Sequence, residues 1–233
     1  MDWRDFAIEL ASVARNLLEQ DSVEGTLSEI TAAAVRLVPG CEAAGILRLS
    51  GGTVRSYAVT SPLVQESDHL QERFGEGPCF DAAKVGHPVF RIHDMTTETT
   101  RWRRYAPEAR ALGIGSMMGF LLYTNEQDLG ALDMYSPKAG AFTEDCETAG
   151  WLLASHAAVA FAESREHSQL AQAVQTRGLI GEAMGVLMAS HHLSQDEAFD
   201  VLRRYSQENN IKLREVARRT VDRGGLEKPF LSP

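Results

Sequence analysis

The stretch FGEGPCFDAAKVGHPVFRIHD, Phe74–Asp94, changes character twice over its length. Gly75, Gly77 and Pro78 interrupt the chain, a helical pattern starts near Cys79, and PVFRIHD at 88–94 follows as a short strand. Backbone amides of such a loop can face the helix start and hold an anion or a carbonyl oxygen. The alternative is that the glycines only turn the chain. Cys79 is open to two readings as well: a thiol activated by the helix start, or a small buried cysteine.

Working outward, apolar residues recur at helical spacing in 3–20 (Phe6, Leu10, Val13, Leu17) and in 26–38 (Leu27, Ile30, Ala34, Leu37), with Pro39-Gly40 as a stop. The period then becomes that of strands. AAGILRLS at 43–50, a Gly51-Gly52 turn and TVRSYAVT at 53–60 read as one hairpin; SMMGFLLYT at 116–124, a polar NEQD turn and LGALDMYS at 129–136 read as a second. RWRRYAPEARALG between them reads as helix or two short turns, with Gly113 as its stop. The resulting order is helix, helix, hairpin, helix, strand, helix, hairpin, helix. It describes an α+β sandwich with an antiparallel sheet.

That segment, with YSPKAGAFTEDC at 135–146, resembles the GAF domain family: GEGPCFDA matches its GxGPCxxA loop-and-helix, and the second stretch its closing strand and last helix start. The resemblance covers roughly residues 20–165 and implies a sensory module of the GAF fold. A small-molecule ligand is implied, with Gly75, Gly77 and Cys79 as the candidate contacts and no particular cofactor. Chromophore attachment at Cys79, as in related photoreceptor modules, is a further alternative.

Composition restricts the function classes. The chain has 233 residues, 44% hydrophobic and 24% charged, and a net charge of −9. Residues 1–175 carry 14 basic and 24 acidic side chains, whereas 176–225 carry 8 and 7, so only the C-terminal part lacks strong repulsion toward a polyanion. Met1 is followed by Asp2, Arg4 and Asp5 rather than a basic n-region, so a cytosolic chain without a signal peptide is expected. The most apolar windows, 111–123 and 151–162, are shorter than the ~20 residues of a membrane-spanning helix. Cys41, Cys79 and Cys146 are odd in number and far apart, unlike a disulfide framework or a metal motif. His87 and His93 lack further ligands at metal spacing, and no nucleophile triad, carboxylate pair or phosphate-binding loop can be made from local motifs. A non-enzymatic protein without a metal site is expected.

From Thr143 a helical pattern with Glu144 and Asp145 in its first turn runs without proline to about residue 190, as one helix or two in close succession. Helices of this kind commonly pair with a second copy, so a homodimer is expected. Residues 169–225 read as three helices: about 169–190; one opened by the capping-box sequence Ser194-Gln195-Asp196-Glu197 and ending near Asn209; and 212–223, closed by Gly224-Gly225. On a wheel, Ile180, Ala183, Met184, Leu187 and Met188 share a stripe of the first. Ala198, Val201, Leu202 and Tyr205 line the second, with Phe199 at the edge, and Leu213, Val216, Ala217, Thr220 and Val221 line the third. Arg214/Arg218 and Arg219/Arg223 stack like charges on the opposite face, which suits either a polyanion or solvent.

The run IGEAMGVLMASHHLSQDEAFDVLRRYSQENNIKLREVARRTV, Ile180–Val221, resembles the ANTAR domain family, with Ala183, Gly185, Leu187, Met188, Glu197, Ala198, Phe199, Leu202, Arg203, Leu213, Val216 and Ala217 matching in order. The resemblance implies binding to paired stem-loops in nascent RNA and control of transcription antitermination. Candidate RNA contacts are Arg177, Arg203, Arg204, Lys212, Arg214, Arg218 and Arg219, positioning phosphates more than reading bases. Phe199 and Tyr205 are read as core, with stacking on unpaired bases as the alternative. Met184 stands where the family often has lysine. The expected organisation is a GAF-type antiparallel sheet with flanking helices at 1–165, joined by a long helix to an all-α three-helix ANTAR bundle at 166–225, and a tail at 226–233. A rival reading has the bundle contact a protein without touching RNA.

Overall fold

The computed structural model describes residues 1–50, 53–85, 89–98, 100–122 and 129–226. The turns read at 51–52 and 125–128, His87 and the tail from 227 lie outside the described residues. The chain divides into two compact units, Met1–Glu166 and His167–Pro233.

The first unit is built on a five-stranded antiparallel sheet of β1 (Ala43–Ser50), β2 (Thr53–Tyr57), β3 (Val89–Ile92), β4 (Ser116–Leu122) and β5 (Leu129–Ser136), in the order β2-β1-β5-β4-β3. The three inner strands read as nearly continuous apolar runs because both of their faces are covered. On one face, Ala44 and Ile46 of β1, Met118 and Phe120 of β4, and Leu132 and Met134 of β5 pack against α1 (Trp3–Leu18), α2 (Val23–Leu37) and the first turns of α6 (Glu144–His191). The predicted spacings hold, since Phe6, Leu10, Val13 and Leu17 of α1 and Leu27, Ile30 and Ala34 of α2 are all in this core.

The other face carries α3 (Pro62–Phe74), α4 (Pro78–Val85) and α5 (Tyr105–Ala111), and its core includes Val64, Phe80, Trp102 and Tyr105. Helix α3 is absent from the sequence reading, although its ends are signalled. Ser61 caps it by accepting from the Leu63 amide, Pro62 takes a first-turn position, and Gly75 closes it in the left-handed conformation. Between the first hairpin and β3 there are therefore two helices, the expected one near Cys79 (α4) and α3 before it.

From residue 144 a single helix, α6, runs to His191. It supplies Cys146, Ala149, Leu153, Ala154, Ala157 and Ala160 to the first core. In the second unit, Ala183 and Leu187 of α6 pack with Ala198, Val201 and Leu202 of α7 (Gln195–Glu208) and Val216 and Ala217 of α8 (Leu213–Arg223). The capping box forms in full, with the Ser194 amide donating to Glu197 Oε2 at 2.8 Å and the Glu197 amide to Ser194 Oγ at 3.3 Å. Among the described residues, no helix is long and apolar enough to cross a membrane.

At Gly150, α6 comes into tight contact with the sheet. A Cβ there would lie 2.3 Å from Cζ of the buried Phe120. Gly150→Ala gains about 1 kcal/mol of helix propensity but meets an overpacking cost of about 1–3 kcal/mol. Denaturant unfolding should register a net loss of stability; a gain would mean that Phe120 moves aside freely.

Candidate functional site

The second face of the sheet carries polar groups where its neighbours carry apolar ones. Along β5 the residues turned to that face are Ala131, Asp133 and Tyr135. Asp133 pairs across β1 with Gly45 and across β4 with Gly119, so neither adjacent strand places a side chain beside it. Two groups from the helices enter this clearing instead. A methyl of Val64 lies 2.4 Å from where a Gly45 Cβ would stand, and Cys79 Sγ lies 3.2 Å from a Gly119 Cβ.

Asp133 is fully buried, and neither of its carboxyl oxygens has a hydrogen-bond partner among the described residues. Desolvation pushes its pKa well above the usual carboxylate range and the nearby Asp68 pushes it further, while the Cys79 thiol that faces it opposes the rise. Asp68, on α3, is better supplied. It accepts from Ser56 Oγ at 2.6 Å and from the Tyr135 hydroxyl at 3.4 Å, yet burial still raises its pKa to about 7. Ser67 Oγ and the Tyr105 hydroxyl, 2.8 Å apart, complete the polar layer.

Gln71 links this layer to the glycine loop. Its Oε1 accepts from the amides of Cys79 and Phe80 at 3.0 and 3.1 Å, while its buried Nε2 has no partner among the described residues. Gly77 permits that approach, because its φ is +144° and a Cβ would lie 2.5 Å from the Gln71 side chain. The amides expected to receive an anion or carbonyl are thus occupied by the protein itself. Of the three candidate ligand contacts, Cys79 is in the polar layer, Gly77 shapes it, and exposed Gly75 terminates α3.

Burial and the facing Asp133 also raise the Cys79 pKa well above that of an ordinary thiol, the opposite of activation by a helix start. Asp68, Gln71 and Asp133 were missed by local motif reading. The signal for Asp133 is a carboxylate in register with apolar residues of a strand, at alternate positions from Ala131 and Tyr135. His93 is exposed, and no group of three potential metal ligands exists among the described residues.

In the second unit the seven candidate RNA contacts are all exposed. Arg203 pairs with Asp200 at 2.9 Å and Arg219 with Glu215 at 3.0 Å. Arg177, Arg204, Lys212, Arg214 and Arg218 form no ion pair among the described residues. Phe199 corrects its reading as core: it is 38% exposed and lines a groove of about 430 Å³ with Arg177, Ile180, Gly181, Met184, Gln195 and Asp196. Tyr205 is half-buried against the core, as expected. Met188, placed on the apolar stripe, is likewise exposed at 38%.

Comparison with known families assigns residues 20–162 to the GAF domain and residues 168–221 to the ANTAR domain. Among solved structures, the GAF domain of a phosphoenolpyruvate-protein phosphotransferase from Coxiella burnetii is 17% identical, with a TM-score of 0.56, covering 72% of this chain and 99% of that one. A free methionine-R-sulfoxide reductase from Neisseria meningitidis, solved with its substrate, is 16% identical, with a TM-score of 0.53 and coverage of 67% and 88%. The GAF domain of an Acinetobacter phosphoenolpyruvate-protein phosphotransferase is 13% identical, with a TM-score of 0.51 and coverage of 71% and 97%. These likenesses concern the fold. No curated protein matches the chain.

The polar layer makes stability depend on pH. Asp68 stays protonated in the folded state up to about pH 7, whereas in the unfolded chain it ionises near about pH 4. The folded state binds the extra proton between those values, so the stabilisation is complete below about pH 4 and is lost as pH rises toward 7. Asp68→Asn should reduce that slope in denaturant unfolding between pH 4 and 8. An unchanged slope would show that the carboxyl ionises in the fold without penalty. All three cysteines are free and buried, so a thiol reagent at pH 8 should label them only at the rate of unfolding; fast labelling of Cys79 in the native chain would restore the thiol-sensor reading.

Proposed function

We propose, starting from the fact that the chain belongs to the GAF domain family and carries an ANTAR domain behind it, that it is a cytosolic regulator of transcription antitermination. Its first unit senses a small molecule, and its second binds stem-loops in nascent RNA. The pairing of these domains is a regulatory architecture. The observation that carries the RNA reading is the set of exposed cations without ion-pair partners: Arg177, Arg204, Lys212, Arg214 and Arg218 on one small bundle. Arg203 and Arg219 add to it, because exposed ion pairs are worth only about 0–1 kcal/mol and exchange readily for phosphate.

The groove at Phe199 supports a second kind of contact. An exposed aromatic ring beside a guanidinium suits an unpaired loop base, which stacks on such surfaces. Met184 is half-buried in that groove, so it contributes apolar surface there in place of a phosphate contact.

Exposed apolar side chains favour a homodimer as the working form. On α6, Leu152 and Val159 stand seven residues apart and Leu170 and Val174 four apart, with exposures of 42%, 62%, 63% and 62%.

The test is a mobility-shift titration against stem-loop RNA across a salt series. Arg204→Ala and Arg218→Ala should each lower the slope of log affinity against log salt by about 1. Phe199→Ala should weaken binding by about 1–3 kcal/mol with little change in slope. Charge reversal at Arg218 and Arg219 should abolish RNA regulation. Regulation that survives it, with no RNA binding at low salt, favours a bundle that contacts protein alone.

A further inference from the structure

Taking the first unit as a small-molecule sensor, as proposed above, we infer that its ligand carries a planar two-donor cation, an amidinium or guanidinium group, received by the two free oxygens of Asp133. The inference rests on hydrogen-bond accounting. Nearly every buried polar side chain in a folded protein has a partner, and a buried carboxyl with none at either oxygen is exceptional. Asp133 sits in the middle strand of the sheet, at zero exposure, with both oxygens unpartnered among the described residues.

The surroundings restrict what could satisfy it. Gly45 and Gly119 place no side chain on its flanks, and the Val64 methyl and the Cys79 thiol enter there instead; the thiol, a weak donor, opposes the rise in the Asp133 pKa but makes no well-formed hydrogen bond to either oxygen. An anionic ligand would face two carboxyls, Asp133 and Asp68, and the amides at the start of α4 that could offset them already donate to Gln71. An apolar ligand would leave the carboxyl as it is. A metal ion lacks a set of three side-chain ligands among the described residues. A planar cation with two parallel N–H groups meets both oxygens at once, in the geometry that makes guanidinium–carboxylate pairs strong. Gln71 Nε2, also buried and unpartnered, offers one further donor to an acceptor atom on the same ligand.

Binding should be linked to protons. The titratable groups that face Asp133 are Asp68 from α3, Cys79 from α4, Tyr105 from α5 and Tyr135 from its own strand, and all are held toward their protonated forms. A cation is held only by an ionised carboxyl, so uptake releases a proton and affinity rises with pH.

The test uses the full chain, with methylguanidinium chloride as probe and N-methylurea as its neutral analogue of the same shape. Methylguanidinium should raise the melting temperature saturably and bind about 10- to 100-fold tighter than N-methylurea. Calorimetry at pH 6 in two buffers of different ionisation enthalpy should detect proton release on binding. Asp133→Asn should retain the fold and lose the preference for the cation. If that variant does not fold, proton release in the unmodified chain decides the matter. Equal binding of the two probes, no saturable binding of either, or cation binding without proton release overturns the inference. RNA affinity measured in the same samples separates this outcome from the broader one. A cation that binds at Asp133 without altering RNA affinity supports the site and refutes the sensory role, whereas RNA binding in a chain indifferent to the cation refutes the site alone.

Discussion

The close approach of α6 to the sheet at Gly150 and Phe120 governs the first unit. The face of α6 that carries Ala149, Gly150, Ala154, Ala157 and Ala160, with Cys146 and Leu153 as its larger core residues, has little side-chain bulk at Gly150, so it comes close to Phe120 of β4. With α1 and α2 it seals one face in an apolar core. Large residues such as Phe120, Met118 and Ile30 then provide most of the volume, in keeping with close packing at near-crystalline density. On that face the buried hydroxyls of Thr26 and Thr31 are satisfied by the backbone of α2 itself, whereas the opposite face is more irregular. It is covered by three shorter helices rather than one long one, and it contains the buried carboxyls, tyrosines and thiol.

That second face is stabilised less well than its burial suggests. Trp102, Tyr105 and Met117 contribute large apolar areas, but Asp133 and Asp68 offset part of the gain. A buried carboxyl without hydrogen bonds costs several kcal/mol if ionised and keeps a penalty when protonated. An uncompensated group of this kind is unfavourable in a structural core and useful in a binding site. A ligand that supplied the missing bonds would recover that free energy. The same accounting separates Asp68 from Asp133. Ser56 and Tyr135 already hold Asp68, so it acts as a fixed polar wall, whereas Asp133 has its bonding capacity in reserve.

Much of this fold was legible in the sequence, and the exceptions have physical causes. The helical spacing of Phe6, Leu10, Val13 and Leu17, the antiparallel pairing of the strands in the two hairpins and the capping box at Ser194 depend on local patterns and agree with the structure. The strand expected over 53–60 nevertheless ends at Tyr57, where Ala58 takes a positive φ. Helix α3 escaped because it carries many polar residues, Gln65, Glu66, Asp68, His69, Gln71 and Glu72, so its apolar stripe is weak. Asp68 and Gln71 are buried there as polar residues, which a hydrophobic pattern cannot register. The Asp133 clearing was invisible for another reason: it depends on Gly45 and Gly119 falling opposite Asp133 in register, a coincidence of three separate strands. The seven basic candidates in the bundle were legible as exposed, but the two paired with Asp200 and Glu215 were not separable from the rest without coordinates.

The glycines of α6 in the second unit raise a last question of cost. Gly181 and Gly185 are exposed, and a Cβ at either would meet nothing within 4 Å. Packing within this bundle therefore does not require them, yet each costs about 1 kcal/mol relative to alanine in a helix. Gly181 borders the groove formed with Phe199, Met184 and Arg177, where the missing side chain leaves helix backbone uncovered beside an aromatic ring and a guanidinium. A surface of that composition is poorly suited to solvent, since it exposes apolar area and forgoes helix stability. It suits a ligand that approaches backbone closely, stacks on a ring and carries negative charge, which are the properties of an unpaired nucleotide in an RNA loop.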